Sequence, residues 1–280
     1  MKEIPFPEIP LEDDFNDVIG KAQRGLEIDN DTLAEKAGIS KEQVAAIEEG
    51  KFDADAVRKI APVLQLGADA LVTLGRGVWY PRLPDPLSGF AMINTPYEDM
   101  TVNTYVAWDP VSRDALIFDT GGDCQPVLDL VEKENLNVRK ILLTHTHVDH
   151  VADLDKLVKA TNAPVFVHEL EAFDGAETFQ EGKKFTAGEL SVGTLLTTGH
   201  ARGGITYVIA GLEVPVAVTG DSIFCGSMGG GQISFQDALA NNRKKVLTLP
   251  DHTILCPGHG PATTVEQEKQ HNPFFPEFQG

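Results

Sequence analysis

The sequence has few of the features that mark secreted, membrane-spanning or nucleic-acid-binding proteins. It contains 3 cysteines among 280 residues, and because Cys124, Cys225 and Cys256 are odd in number and scattered, they do not indicate a disulfide framework. No apolar run approaches the roughly 20 residues that are needed to span a bilayer. The first residues, MKEIPFPEIPLEDDF, lack the apolar stretch of a secretory signal. We therefore expect a cytoplasmic protein without a membrane partner.

Positive charge is also scarce. Lysine and arginine together number 23 against 42 aspartate and glutamate residues, and the formal net charge is -19. Binding to nucleic acid phosphates or to anionic lipid favours clustered Lys and Arg, so this balance argues against both partners. A hydrophobic content of 42% and a charged content of 23% are ordinary for a globular protein. The length allows one large domain, or a large domain with a small companion.

Residues 15–74 predict a small helical module. Segments with helical apolar spacing alternate with glycines: FNDVIGKAQRG, NDTLAEKAG, SKEQVAAIEEG, DADAVRKIAPVLQLG and ADALVTLG. Ser40 followed by Gln43 forms a predicted capping box, and Pro62 predicts a kink or a late start in the fourth segment. We therefore expect an all-helical domain over residues 1–76.

The stretch from Asp31 to Leu71 resembles the helix-turn-helix domain of the Cro/repressor type, through LAEKAGIS, IEEG and LQLGADAL. The resemblance implies that the segment from Ser40 to Glu49 is the helix that enters the major groove. That segment carries three glutamates against one lysine, and residues 1–76 hold 16 acidic and 9 basic residues. Because phosphate contacts dominate DNA affinity, we expect a packing or homodimerisation domain here, with DNA binding as the alternative.

A different pattern begins near residue 77. Pro81, Pro84 and Pro86 mark a boundary. Strand-like segments follow it: NTYVAWD, ALIFDT, KILLT, PVFVH, LSVGTLLTT, ITYVIA, VPVAVT and HTILCP. Helical stretches, QPVLDLVEKEN and VADLDKLVKATN, lie between some of them. A succession of strands with intervening helices predicts a layered α/β fold over residues 77–280.

The stretch ILLTHTHVDHVADL joins an apolar strand directly to His145, His147, Asp149 and His150. Residues two apart in an extended strand point the same way, so His145 and His147 can reach one ion together. Asp149 and His150 lie just beyond, where a turn can direct them to a second point. Imidazole and carboxylate groups suit zinc, and also iron or manganese. A bound ion would offset the cost of burying so many polar groups.

Three further residues of ligand type share one setting. His200 follows LLTTG, Asp221 follows VAVTG and His259 follows ILCPG. The glycines allow sharp turns that re-aim each side chain. If these runs are neighbouring strands, their ends meet at one edge of the sheet, and we expect all seven side chains to form one metal site.

The motifs THTHVDH, TTGHARGG, VTGDSIF and PGHGPATTVEQE, after a leading NTYVAWDPVSRDALIFDTGGD, resemble the metallo-β-lactamase superfamily in its glyoxalase II-like branch. The resemblance runs from about Asn103 to Phe275. It implies an αββα sandwich with a site for two divalent metal ions, and zinc is the metal that we expect. The ligands that it implies are His145, His147 and His200 for the first ion, Asp149, His150 and His259 for the second, and Asp221 as a bridge.

The resemblance also implies a reaction. A hydroxide held between the two ions would attack a thioester, a lactone or a similar small acyl compound, and Asp149 would orient that hydroxide and accept its proton. The segment after Asp221, FCGSMGGGQIS, lacks the arginine that relatives often carry, which argues against a glutathione-type substrate. Two alternatives stay open: a persulfide dioxygenase with a single iron, and a DNA-binding regulator whose metal fold senses a ligand.

Other residues of ligand type suit ordinary structural roles. His168 ends the strand-like PVFVH and is expected to be hydrogen-bonded rather than ligating, while His252 and His271 lack the preceding strand and glycine. Cys225 is expected to be a packed thiol. Residues 229–231, GGG, lack the context of a phosphate loop and are expected to form a flexible loop at the active site. A final set is either pocket wall or core: Trp79, Phe90, Tyr105 and Trp108.

Overall fold

The computed structural model describes residues 3–279. Five helices come first, as the apolar spacing predicts: α1 Phe15–Leu26, α2 Asn30–Ala37, α3 Lys41–Glu48, α4 Ala54–Val63 and α5 Ala68–Gly75. Whether they form a helix-turn-helix domain of the Cro/repressor type stays a prediction.

Side chains that precede these helices explain where they begin. The Asp29 carboxylate accepts a hydrogen bond from the Thr32 amide at the start of α2, and the predicted capping box of Ser40 and Gln43 is present at α3. Asp53 caps α4, which begins at the next residue. Pro62 therefore does not delay the start of α4, contrary to one of the two predictions for it. It lies in the last turn, one residue before the helix ends.

Two six-stranded sheets form the rest of the molecule. The first sheet runs in chain order: β1 Phe90–Tyr97, β2 Met100–Trp108, β3 Asp114–Phe118, β4 Asn137–Leu142, β5 Val165–His168 and β6 Glu177–Phe179. The second runs in reverse order from β12 to β7: β7 Phe185–Ala187, β8 Leu190–Leu196, β9 Ile205–Ala210, β10 Val216–Gly220, β11 Ile254–Pro257 and β12 Thr263–Thr264. Strands β3 to β6 pair in parallel, as do β10 and β11, and the other neighbours are antiparallel.

Four further helices cover the sheets. They are α6 Gln125–Lys133, α7 Leu154–Thr161, α8 Phe235–Asn241 and α9 Val265–His271. A π-helical turn, Asn242–Val246, continues α8, and short 3-10 turns occur at Glu169–Glu171 and Pro276–Phe278. The sequence patterns did not predict α8, α9, β1, β6, β7 or β12, most of which are short and lack a clear apolar period.

The alternation of side chains along each strand builds the layers. In β3 and β4, Phe118 and Leu142 face the second sheet, where they meet Tyr207 of β9. Ile117 and Ile141 point to the opposite face, which α6 and α7 cover. The outer face of the second sheet is covered by α8 and α9. These layers are those of an αββα sandwich, which confirms the predicted fold class.

The N-terminal helices share a hydrophobic core with this sandwich. Ile19, Leu33 and Ile60 belong to the same buried cluster as Phe235 of α8 and Phe274 near the end of the chain. The helical region therefore packs on the outer face of the second sheet, next to α8. Within residues 3–279, no helix is both long enough and apolar enough to cross a membrane.

The aromatic residues that the sequence left undecided belong to the packing of the molecule. Phe90, Tyr105 and Trp108 are buried, and Phe90 stacks on Tyr105 with ring centroids 6.0 Å apart. Trp79 stacks on His271, with centroids 4.7 Å apart.

Candidate metal centre

All seven side chains that the sequence singled out come together at one end of the sandwich. His145, His147, Asp149 and His150 follow β4, His200 follows β8, Asp221 follows β10 and His259 follows β11. In three groups of them, the potential ligand atoms lie within 4.8 Å of one another: His145 with His147 and His200, His145 with His150 and Asp221, and Asp149 with His150 and His259. The strand ends converge as the sequence predicted. That the residues act as ligands remains a proposal.

The first group is compact. The His147 Nδ1 atom lies 3.1 Å from the His145 Nε2 atom and 2.9 Å from the His200 Nε2 atom. Three imidazole nitrogens thus face a common point.

The second group lies beside it. The Asp149 Oδ2 atom is 3.1 Å from the His259 Nε2 atom and 3.3 Å from the His150 Nε2 atom. This group therefore offers one carboxylate oxygen and two imidazole nitrogens.

Asp221 lies between the two groups. Its Oδ2 atom is 3.3 Å from the His200 Nε2 atom and 3.5 Å from the His259 Nε2 atom. Its Oδ1 atom is 3.3 Å from the His150 Nε2 atom. One carboxylate therefore contacts imidazoles of both groups.

Contacts on the far side of three of the five imidazoles hold the orientation of these rings. The His150 Nδ1 atom lies 2.8 Å from the Asp119 Oδ2 atom, and the His259 Nδ1 atom donates to the Thr101 carbonyl at 2.7 Å. The His200 Nδ1 atom similarly lies 3.1 Å from the Gly230 carbonyl oxygen. Such contacts select the tautomer that turns the other nitrogen to the centre, an arrangement typical of metal-binding histidines.

Asp119 also contacts the cluster, although the sequence patterns did not single it out. It lies directly after β3, buried, and its carboxylate also accepts hydrogen bonds from the Thr144 amide and hydroxyl, both at 2.7 Å. It therefore joins the end of β3 to the turn that begins the histidine cluster. A signal was present, because Asp119 follows the apolar run ALIF as the other site residues follow theirs.

Burial and charge shift the titration of the cluster in opposite directions. Burial holds the pKa of His145 well below its usual value. Burial also acts to lower the pKa of His150, but the carboxylates of Asp221 and Asp119 outweigh it and raise that pKa to about 10. Burial acts to raise the pKa of Asp221, which the neighbouring His150 and His259 instead hold well below its ordinary value. The site therefore favours an ionised Asp221 next to positive charge.

Five buried side-chain atoms lack a hydrogen-bond partner within residues 3–279, and two of them belong to the cluster, namely the His150 Nε2 atom and the Asp221 Oδ1 atom. They lie 3.3 Å apart and face each other without the alignment of a hydrogen bond. Buried polar atoms without partners are costly, and a cation between a nitrogen lone pair and a carboxylate oxygen would satisfy both. The donors thus suit a metal ion.

A loop over residues 222–231, here named the site loop, borders the His200 side of the cluster. Gly230 belongs to it, so the GGG sequence does contribute to the site. On the side of the sandwich, Glu268 of α9 holds the loop. Its buried carboxylate accepts hydrogen bonds from the Gly226 amide at 3.0 Å and from the Asn272 side chain at 2.8 Å.

The N-terminal region holds the same loop from the other side. The Asp13 carboxylate accepts a hydrogen bond from the Ser227 hydroxyl at 2.6 Å and pairs with Lys21 of α1. Lys21 in turn donates to the Met228 carbonyl at 2.9 Å, and its ammonium lies 5.0 Å from the centroid of the Phe224 ring. We call these contacts of Asp13 and Lys21 with the site loop the clasp.

The residues discounted as ligands lie outside the three ligand groups. His168 is buried, and its Nδ1 atom accepts a hydrogen bond from the Leu170 amide, so it is hydrogen-bonded as predicted. His252 is exposed, and His271 stacks on Trp79. The Cys225 thiol is buried against Glu268, and burial holds its pKa well above the usual value, as suits a packed thiol.

Comparison with known proteins identifies the family. The profile of the metallo-beta-lactamase superfamily matches residues 97–259. The chain belongs to this superfamily. The profile begins after the five N-terminal helices and covers all seven residues of the cluster.

Relatives and solved structures agree with this membership. The probable metallo-hydrolase YqgX of Bacillus subtilis is 32% identical over 188 residues, which are 58% of this chain and 88% of the relative. The hydroxyacylglutathione hydrolase GloC of Haemophilus influenzae is 30% identical over 198 residues, 62% of this chain and 92% of the relative. The crystal structure of the B3 metallo-beta-lactamase BLEG-1 superposes with a TM-score of 0.59 and 31% identity, over 66% of this chain and 99% of that one. The crystal structure of TTHA1623 in a di-iron-bound form superposes with a TM-score of 0.54 and 26% identity, over 65% of this chain and 99% of that one.

Proposed function

We propose that the protein is a metal-dependent hydrolase that cleaves a thioester, a lactone or a similar acyl compound. One observation carries the proposal: Asp221 contacts imidazoles of two adjacent groups of ligand type, so that the cluster has the form of a site for two ions. In this assignment His145, His147 and His200 hold the first ion, Asp149, His150 and His259 hold the second, and Asp221 bridges them.

Imidazole and carboxylate donors suit zinc, and also iron or manganese. Bound at this place, two such ions would supply a water of lowered pKa and a Lewis acid for the acyl oxygen. The order of burial indicates from which side a substrate arrives. His145 and His150 are buried, whereas 13% of the Asp149 side chain is exposed. His147 is also partly exposed, so we expect the acyl group to approach past His147 and Asp149.

Asp149 is the proposed acceptor of the proton that the attacking water loses. Burial acts to raise its pKa, but the hydrogen bond with His259 and the charge of His150 lower it below the ordinary value. The carboxylate is therefore ionised at neutral pH and able to orient a water and take its proton. Its position at 3.1 Å from the His259 Nε2 atom fixes one oxygen, so the other is the one that is free to face the water.

The acyl substrate class is supported by what the similar proteins are named for. One is a hydroxyacylglutathione hydrolase and one a B3 metallo-beta-lactamase, and both names denote cleavage at an acyl carbon. The site loop, residues 222–231, contains no arginine or lysine. A substrate recognised through several carboxylates, as glutathione is, is therefore less suited to this chain than a neutral or cationic acyl compound.

For the N-terminal region, residues 1–76, we propose a packing role on the hydrolase region of residues 77–280, with homodimerisation as an additional property. The shared core and the clasp support the packing role. The acidic balance of the region argues against DNA binding. A mobility-shift assay with duplex DNA, begun at low salt and repeated at increasing salt, tests for DNA binding. Binding that weakens as the salt concentration rises would establish the DNA-binding regulator instead. The molar mass from light scattering tests whether the protein forms a homodimer.

Metal analysis of the purified protein, paired with an activity screen over thioesters, lactones, phosphodiesters and a β-lactam, tests the main proposal. We expect two ions per chain and hydrolysis of at least one acyl compound. A single iron per chain with oxygen-dependent oxidation of glutathione persulfide would establish the dioxygenase. A His145→Ala variant that keeps full metal content and full activity would contradict the ligand assignment.

A further inference from the structure

The segment that precedes α1 lies along the sandwich and is held at several points. Phe6 is buried in the core between the two sheets. The Ile9 amide and carbonyl both bond to the Tyr80 hydroxyl, at 3.2 and 2.8 Å. Asp13 is held by Ser227 of the site loop. Glu12 lies between these anchors, which hold the backbone on both sides of it.

Glu12 lies beside the metal centre. Gly260, the residue after His259, has a φ of +72°, and a Cβ atom placed on it would lie 3.2 Å from the Glu12 amide nitrogen and 3.4 Å from the Glu12 Cβ atom. The charged groups around the Glu12 carboxylate are His259, Asp221, Asp13 and Lys21. Of these, Lys21 is already paired with Asp13 and bonded to the Met228 carbonyl.

The Glu12 carboxylate is left without a partner of its own. It is half-buried, and within residues 3–279 it makes neither a hydrogen bond nor an ion pair. It also belongs to none of the three ligand groups of the cluster. Burial raises its pKa, although the charge of His259 opposes the shift. A cationic group placed beside the carboxylate would offset the cost of its burial.

We propose that Glu12 forms an anionic subsite that binds a positively charged group of the substrate, so that cationic acyl compounds are hydrolysed in preference to carboxylate-bearing ones. The inference rests on the proposed function and narrows its substrate class. Glu12 would act as a specificity-determining residue that the N-terminal segment supplies to the site. Because the pair would be only half-buried, we expect a selectivity of about threefold to tenfold.

Three acetyl thioesters of similar size test the subsite: acetylthiocholine with a cationic end, S-acetyl-2-mercaptoethanol with a neutral end, and S-acetyl-3-mercaptopropionate with an anionic end. The ratio of kcat/KM for the cationic and the anionic compound is measured in the metal-loaded wild type, in Glu12→Gln and in Glu12→Lys. Glu8→Gln is the matched control, because Glu8 is an exposed acid of the same segment. Since Glu12 holds no other residue in place, the variants should fold.

We expect Glu12→Gln to lower the ratio about threefold to tenfold, Glu12→Lys to invert it, and Glu8→Gln to leave it unchanged. A ratio that does not respond to Glu12→Gln, or that shifts equally in Glu8→Gln, would overturn the subsite. So would a loss of bound metal in Glu12→Gln, since Glu12 would then be a ligand.

A binding measurement separates this inference from the proposed function. Calorimetry records the affinity of choline for the wild type and for Glu12→Gln. If none of the three thioesters is hydrolysed but choline binds the wild type about threefold to tenfold more tightly than the variant, the subsite stands while the acyl hydrolase fails. If the thioesters are hydrolysed and neither their ratio nor choline binding depends on Glu12, the hydrolase stands and the subsite is refuted.

Discussion

The helical region and the sandwich use charge in opposite ways. Within residues 15–75, Gln23 is the one polar side chain that is buried, and ion pairs such as that of Lys41 with Asp31 lie on the surface. The sandwich instead buries Asp119, His150 and Asp221 at one end. Exposed ion pairs contribute little, whereas buried charges that face one another shift each other's pKa and create a site. The helices therefore supply packing, and the sandwich supplies the chemistry.

The two regions nevertheless meet at the metal centre. The site loop is held by Glu268 from the sandwich and by the clasp of Asp13 and Lys21 from the N-terminal region. The same loop contacts His200 through the Gly230 carbonyl. A region that contributes no residue to the cluster can thus influence His200 through the loop that it holds. Four predictions test this division of roles.

The largest effect should come from a proposed ligand in the sandwich. We expect His200→Asn to bind metal more weakly and to lower kcat/KM by at least about 100-fold, because even partners that only orient ligands contribute about 10- to 100-fold. Metal content by elemental analysis and steady-state kinetics measure both. The exposed His252→Asn is the matched control and should resemble the wild type. Equal metal content in the two variants would contradict the assignment of His200.

Glu268 should make stability depend on pH. Burial raises its pKa to about 7, above its ordinary value of 4.5, although hydrogen bonds from Asn272, Thr263 and Gly226 oppose the shift. A carboxyl group with a raised pKa binds more protons in the folded than in the unfolded protein, so its contribution is largest at low pH and declines as the pH rises through 7. That decline amounts to at most about 3 kcal/mol.

Urea unfolding of the wild type and of Glu268→Gln between pH 5 and pH 8 measures this contribution. We expect the free energy of unfolding of the variant to change less over this range than that of the wild type, because the variant has no carboxyl group to deprotonate. Glu266→Gln, an exposed change on the same helix, should keep the pH dependence of the wild type. Parallel profiles for all three proteins would show that Glu268 does not titrate in this range.

Two glycines of α1 test whether the helices and the sandwich form one core. A Cβ atom on Gly25 would lie 2.1 Å from the Phe235 ring of α8, whereas on Gly20 the nearest atom is the flexible Arg24 guanidinium at 3.1 Å. We expect Gly25→Ala to destabilise by about 1–3 kcal/mol through overpacking, and Gly20→Ala to stabilise by about 0.5–1 kcal/mol through helix propensity.

Calorimetry decides how the two regions unfold. A single transition that Gly25→Ala shifts as a whole is the expected result, because the helices and the sandwich bury one cluster together. Two transitions, of which only the smaller moves, would show that the helical region folds as an independent unit.

The smallest effect should come from the clasp. We expect Asp13→Asn to weaken the contact with Ser227 and to increase amide hydrogen exchange in the site loop, with a fall in kcat/KM of about threefold to tenfold. Asp31→Asn, an exposed acid of the same region, should change neither quantity. If exchange in the loop does not respond to Asp13→Asn, the N-terminal region does not support the site through the clasp.

The degree to which the sequence predicted this molecule differs from feature to feature. The helices of residues 15–75 and the longer strands were predictable because local apolar periods and caps such as Ser40 with Gln43 specify them. The cluster was predictable because each of its residues follows an apolar run. Asp119 was missed, although it follows such a run, because its role depends on a contact with His150 across 31 residues.

By itself, the sequence determined which side chains are of metal-ligating type, where most helices and strands lie, and that the N-terminal region carries more acidic than basic residues. Only the tertiary structure decided that four strand ends meet around Asp221, that the helices share a core with α8, and that Glu12 lies beside His259. These features depend on contacts between distant residues, such as Asp13 with Ser227 across 214 positions. Local patterns cannot report them, because such contacts exist only once the two sheets have stacked and buried their apolar faces.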